Sequence, residues 1–138
     1  MSLVLDVGIG TGTSLCANAS LVQSKQLSVV GVDIDQAYVA HCGGALQKAG
    51  LQKCRVVCKS VLDADLAEVV GKDFDAVYFS GSISLIPTPH KALQQAASLL
   101  KPGGVVYVTQ TFQRKSFPML AFIKPLLGER FCCFALVY

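Results

Sequence analysis

The sequence predicts an α/β domain, a doubly wound and mostly parallel sheet with helices on both faces. Three observations carry this. Strand-like and helix-like patterns alternate five times with short Gly or Pro punctuation, and right-handed crossovers turn such an alternation into a parallel sheet. The strand segments are near-continuous apolar runs, as burial on both faces demands. With 138 residues, 52% hydrophobic and only 15% charged, the chain has apolar side chains enough for one core and is too short for a second full domain.

Val4, Leu5 and Val7 form a short apolar run that ends in Gly8-Ile9-Gly10-Thr11-Gly12, and helix-compatible residues follow from Thr13 to about Gln23. Leu27 to Val32 is a second apolar, β-branched run closed by Asp33-Ile34-Asp35. Gln36 to Ala49 then reads as a helix that Asp35 caps and Gly50 ends, weakened by Gly43-Gly44. Cys54 to Lys59 carries a third strand signal, and Asp63 to Val70 a short helix ending at Gly71. Phe74 to Phe79 is the fourth strand. Thr88 and Pro89 suit an N-cap and a first-turn proline, with Leu93, Ala96, Ala97 and Leu100 on one helical face. Lys101-Pro102-Gly103-Gly104 stops that helix, and Val105 to Thr111 is the fifth strand.

Phe117 to Leu127 reads as a helix in which Pro118 fits a first turn and Pro125 does not, and the apolar Phe131 to Tyr138 reads as a last strand. At most one strand is then left to pair with the fifth, so the sheet is expected to be incomplete at its C-terminal edge. Such an edge either recruits a second copy, giving a homodimer, or is closed antiparallel by the tail itself.

Charge and cysteine usage exclude several classes. A net charge of +3, from 12 Lys plus Arg against 9 Asp plus Glu, is too small and too scattered for a nucleic-acid or membrane-surface footprint. Lys124, Pro125, Glu129 and Arg130 break the longest apolar stretch well short of the ~20 residues a membrane span needs. Asp6 interrupts the first apolar run and no basic stretch precedes it, so no signal peptide is expected. Cys16, Cys42, Cys54, Cys58, Cys132 and Cys133 include no C-x-x-C pair and no His at ligand spacing, which predicts no metal site. Reduced, mostly buried thiols and a cytoplasmic location are the expectation.

In an open α/β sheet, ligands bind beyond the carboxyl ends of the strands where strand order reverses, which directs attention to the end of the first strand. Gly8, Gly10 and Gly12 remove side chains where a ligand must approach backbone N–H groups. A dinucleotide fingerprint wants a glycine at the sixth position, and Thr13 stands there. Asp33 closes the second strand about twenty residues after the loop, where a carboxylate accepts hydrogen bonds from both hydroxyls of a ribose. Asp35 already serves as the natural cap of the following helix, which leaves Asp33 for a ligand.

The successive segments V-L-D-V-G-I-G-T-G, V-V-G-V-D-I-D, F-D-A-V-Y-F and L-L-K-P-G-G-V-V-Y-V-T resemble the motifs of Rossmann-like (class I) S-adenosylmethionine-dependent methyltransferases, over residues 3 to about 112. The resemblance implies S-adenosyl-L-methionine as cofactor. It places Asp6 and the Gly8 to Gly12 loop at the amino-acid end, Asp33 at the ribose hydroxyls and Ile34 against one face of the adenine. The adenine edge falls to Ser60, Val61 and Asp63, where Asp63 reads equally as a helix cap. Ser80-Gly81-Ser82 would leave room for the sulfonium and its methyl group.

No N-P-P-Y stands after the fourth strand, against amino-methylation of nucleic-acid bases, and Ser80 offers no carboxylate for a metal-dependent catechol type. A small-molecule or lipid-like acceptor is the leading class. His90 is the candidate general base, against the plainer reading of a solvent-side residue in the first turn after Pro89. Compared with the family pattern both ends read as abbreviated. The competing classes are therefore a cofactor-binding domain that is catalytically idle or completed by a partner, and a nicotinamide-dependent oxidoreductase, disfavoured by Thr13.

Overall fold

A computed structural model of the protein describes residues 2–111 and 135–137. The elements are β1 (Ser2–Val7), α1 (Thr13–Ala17), α2 (Ala19–Ser24), β2 (Leu27–Asp33), α3 (Gln36–Lys48), β3 (Arg55–Cys58), α4 (Leu66–Val70), β4 (Phe74–Ser80), α5 (Pro89–Ser98), β5 (Leu100–Thr111) and β6 (Ala135–Val137). One 3₁₀ turn, Ile83–Leu85, lies between β4 and α5. The sheet order is β3-β2-β1-β4-β5-β6. β1 to β5 run parallel and β6 is antiparallel to β5. The chain winds outward from β1 through β2 to β3 and then returns to β4 on the other side of β1. The switch point is thus the gap between the carboxyl ends of β1 and β4.

Two apolar clusters sandwich the sheet. On one face Leu5, Val7, Val77 and Phe79 pack with Leu66 of α4 and Ala96 of α5. On the other, Cys42 and Leu46 of α3 pack with Val22 of α2 and Leu51, against Val56 of β3. This second cluster covers only the β1 to β3 half, and Val105 and Tyr107 of β5 are exposed. Among the described residues no helix is long and apolar enough to cross a membrane.

Several boundaries differ from the sequence reading for identifiable reasons. The helix expected from Thr13 to Gln23 is two helices, because Asn18 turns its side-chain amide back to the Ser14 carbonyl at 2.8 Å and ends α1. α4 begins at Leu66 rather than Asp63, since residues 60–63 form a turn of their own, closed by Asp63 N–H to the Ser60 carbonyl at 3.1 Å. The buried face of α5 is Ala92 and Ala96, continued by Leu99 after the helix ends. Leu93 is exposed and Leu100 has already entered β5, so the buried face shares only Ala96 with the expected one. β5 starts five residues early because Leu100 pairs with Phe74, and the register then shifts before Ala76 pairs with Val105. Residues 101–104 are absorbed in that irregularity. The expected Phe117 to Leu127 helix lies outside the described residues. Of the tail, β6 pairs antiparallel with Thr109–Thr111, so the tail itself supplies a strand to that edge.

Candidate functional site

The loop after β1 is anchored to β2 by the Gly8 N–H, which donates to the Val32 carbonyl at 2.8 Å. Its three glycines share positive φ, and each is required for a different reason. A Cβ on Gly8 would overlap the Cβ of Ser82, and one on Gly12 would stand 2.6 Å from the Cys42 sulfur. Nothing lies within 4 Å of where a Cβ of Gly10 would be. The first and third glycines thus serve close packing, and the middle one alone leaves open space.

Asp33 closes β2 beside that space. Its Oδ2 accepts from the Gly10 N–H at 2.8 Å and its Oδ1 from the Asp35 N–H at 3.0 Å. Two backbone bonds fix the carboxylate while each oxygen keeps a lone pair for a further donor. Asp35 is the cap of α3, accepting from the N–H groups of Ala37 and Tyr38. Ile34, between the two acids, is 77% exposed.

Asp6, near the end of β1, is only 9% exposed, and its Oδ1 has no hydrogen-bond partner among the described residues. Burial, and secondarily the Asp33 carboxylate, push its carboxyl from 3.8 up to about 7. No described Lys, Arg or His forms an ion pair with it.

After β3 the chain makes a tight turn. Lys59 N–H donates to the Asp33 carbonyl at 3.0 Å, Ser60 N–H to Asp63 Oδ2 at 3.0 Å, and Leu62 N–H to Ser60 Oγ at 3.1 Å. Asp63 therefore closes this turn and does not cap α4, where Asp65 holds the N-cap position and pairs with Lys59 at 2.6 Å. Val61 is buried to 4% exposure in the core, so only its main chain is left to meet a ligand.

Ser80 ends β4 half-buried, and the Gly81 N–H donates to the Thr109 carbonyl. The sequence pointed to Ser82 only as a small residue that leaves room; in the structure Ser82 donates its hydroxyl to the Val7 carbonyl while its Cβ lies against Gly8. The small residues after β4 therefore clasp the glycine loop. His90 sits exposed in the first turn of α5, at the same end of the sheet, with no hydrogen bond to any described residue. A cleft of about 260 Å³ lined by Gln26, Leu27, Leu51 and Lys53 opens at the amino ends of β2 and β3, remote from this site.

The donor and acceptor set suits a ligand with a cationic amino end near Asp6 and a vicinal diol near Asp33. It does not suit a pyrophosphate. The Gly10 N–H that would meet a phosphate is taken by Asp33, and two carboxylates stand beside the loop. The residues thus fit S-adenosylmethionine and disfavour a nicotinamide dinucleotide.

Residues 4–104 match the model of a family described as "Methyltransferase domain". The chain is 28% identical over 123 residues to a phosphatidylethanolamine N-methyltransferase of Cereibacter sphaeroides, covering 89% of this chain and 57% of that protein. It is 31% identical over 113 residues to an arsenite methyltransferase of Aquipseudomonas alcaligenes, covering 79% and 32%. A solved methyltransferase from Geobacter sulfurreducens in complex with S-adenosyl-L-homocysteine shares the fold at a TM-score of 0.64, with 18% identity over 85% of this chain and 45% of that one. The chain spans between a third and just over half the length of these two curated relatives. The family match runs from β1 through the glycine loop, Asp33 and β4 into β5, and the chain belongs to the methyltransferase-domain family, with its class I Rossmann-like sheet.

Proposed function

We propose that the protein is an S-adenosylmethionine-dependent methyltransferase acting on a small-molecule or lipid-like acceptor. The observation that carries this reading is the arrangement at the end of β1 and β2: a buried acid with a spare oxygen, an open Gly10, and an Asp33 carboxylate already fixed by backbone. When bound, the cofactor supplies a sulfonium methyl with a good leaving group, so orientation accounts for most of the acceleration.

The chain's own residues bind and orient. Asp6 faces the amino end with the Gly8, Gly10 and Gly12 loop around it, and Asp33 accepts from the ribose hydroxyls. Exposed Ile34 offers an apolar surface to the adenine, whose edge meets the main chain at Ser60 and Val61 and the Asp63 side chain. Ser80 borders the methyl group. Leu85, 82% exposed in the turn after β4, gives the acceptor side an apolar surface. The relatives named for phosphatidylethanolamine and arsenite fit an acceptor of this range. Cys16, Cys42, Cys54 and Cys58 are free thiols, which supports a reducing, cytoplasmic setting.

One observation favours a second reading, a cofactor-binding domain completed by a partner: His90, the candidate base, is exposed and nothing described holds its imidazole. Calorimetric titration tests both. S-adenosylmethionine and S-adenosylhomocysteine are expected to bind and NAD not to bind. Asp33→Ala should weaken binding about ten- to hundredfold, the loss of a charge-assisted hydrogen bond. Binding of NAD in their place, or an unchanged affinity in the variant, refutes the cofactor reading. Methyl transfer by the chain alone refutes the second.

A further inference from the structure

Asp6 is the one described acid that is nine-tenths buried, and one of its oxygens has no partner. The titratable groups facing it come from four elements. Asp33 ends β2 and raises Asp6 through its charge. Cys42 of α3 feels Asp6, Asp33 and Cys16 of α1, and its thiol is pushed up to about 11 by burial first, so it stays neutral at any ordinary pH. Tyr78, opposite Asp6 in the β1–β4 register, shares its hydroxyl with Thr109 Oγ1 at 2.9 Å. None of these groups is a cation. A buried carboxylate without a counter-charge is held at a high free energy, and two changes relieve it: a proton on Asp6 or a positive charge brought in by a ligand.

We propose that these two are exclusive, so that binding of the cofactor's ammonium end expels a proton from Asp6 to solvent and makes affinity depend on pH around neutrality. This rests on the cofactor reading above. The balance is simple: the O–H bond of the Asp6 carboxyl breaks, the proton passes to buffer, and the ligand's ammonium keeps its own protons. The carboxyl value of about 7 without ligand sets the window. Affinity is fully present above it and is lost as pH falls below it.

The test uses S-adenosylhomocysteine, whose amino group stays charged below pH 7, since α-amino groups titrate near 7.7–8.0. Its binding is measured by calorimetry between pH 7.0 and 5.5 in buffers of different ionisation enthalpy. The expected result is an affinity about fifteenfold weaker at pH 5.5 than at pH 7.0. Release of about half a proton per ligand at pH 7.0, rising toward one at pH 5.5, accompanies it. In the isosteric Asp6→Asn variant both dependences should vanish. If the ligand binds with flat affinity and no proton release, the coupling is refuted and the cofactor reading stands. If the pH dependence persists in Asp6→Asn, another group carries it and the inference is equally refuted. Absence of binding at every pH in the unaltered protein refutes the cofactor reading and this inference together.

Discussion

Asp6 shows what a buried carboxyl with an unpartnered oxygen costs the fold. Its carboxyl titrates near 7 in the folded protein against 3.8 ordinarily, so the native state holds this proton more tightly than the unfolded chain does. Stability then falls as pH rises from about 4 to about 7, the reverse of the usual salt-bridged carboxylate. Asp6→Asn removes that dependence. Relative to the unaltered protein, the variant should gain about 2.5 kcal/mol more at pH 8 than at pH 5, read from urea midpoints without ligand. Equal differences at the two pH values would show that Asp6 is ionised without penalty. The place of Asp33 at the end of β2, beside Gly10, was legible because a strand, a glycine loop and a crossover helix fix that distance. The burial of Asp6 was not, because it is made by residues far away in sequence. The burial of the Val61 side chain in the core was equally illegible, for the same reason.

The glycine loop and the turn after β4 act as one element although 75 residues separate Ser82 from Val7. Gly8→Ala introduces a side chain at φ +79 and into the Ser82 Cβ, and should cost about 3 kcal/mol, the sum of left-handed strain and overpacking. Adding Ser82→Gly removes only the overlap. A double-mutant cycle by denaturant unfolding should therefore show a coupling of about 1–2 kcal/mol between the two positions, and strict additivity would break the link. Gly10→Ala, with open space around it, should cost only the strain, about 1 kcal/mol. The sequence located all six described strands and the helical segments between them, apart from the break between α1 and α2 and the turn Ile83–Leu85, because apolar runs and Gly or Pro punctuation are local signals. It missed where side chains compete with main chain, as Asn18 does between α1 and α2 and Asp63 does before α4. It placed Ala96 rightly on the buried face of α5 but took Leu93 and Ala97 as its companions, where Ala92 and Leu99 are the buried ones.

At the scale of the molecule, the doubly wound order was legible from the alternation of patterns, whereas the state of the outer edge was not. β6 spans only Ala135–Val137 and meets β5 at Thr109–Thr111. Along residues 100–108 no described strand pairs with that side. A chain ending at residue 134 should uncover the rest of the edge and associate, with light scattering showing dimers or larger species where the full chain shows fewer. A monomeric truncated chain would show that the edge is protected by other means. The clasp between Ser82 and Gly8 has a bearing on redesign. Anyone exchanging the segment after β4 to change the acceptor would expect to alter selectivity alone. Because residue 82 is the joint on which the first loop rests, a graft carrying a bulkier residue there would shift the loop and retune cofactor affinity along with it. Changes in that segment are independent of the first loop only beyond residue 82.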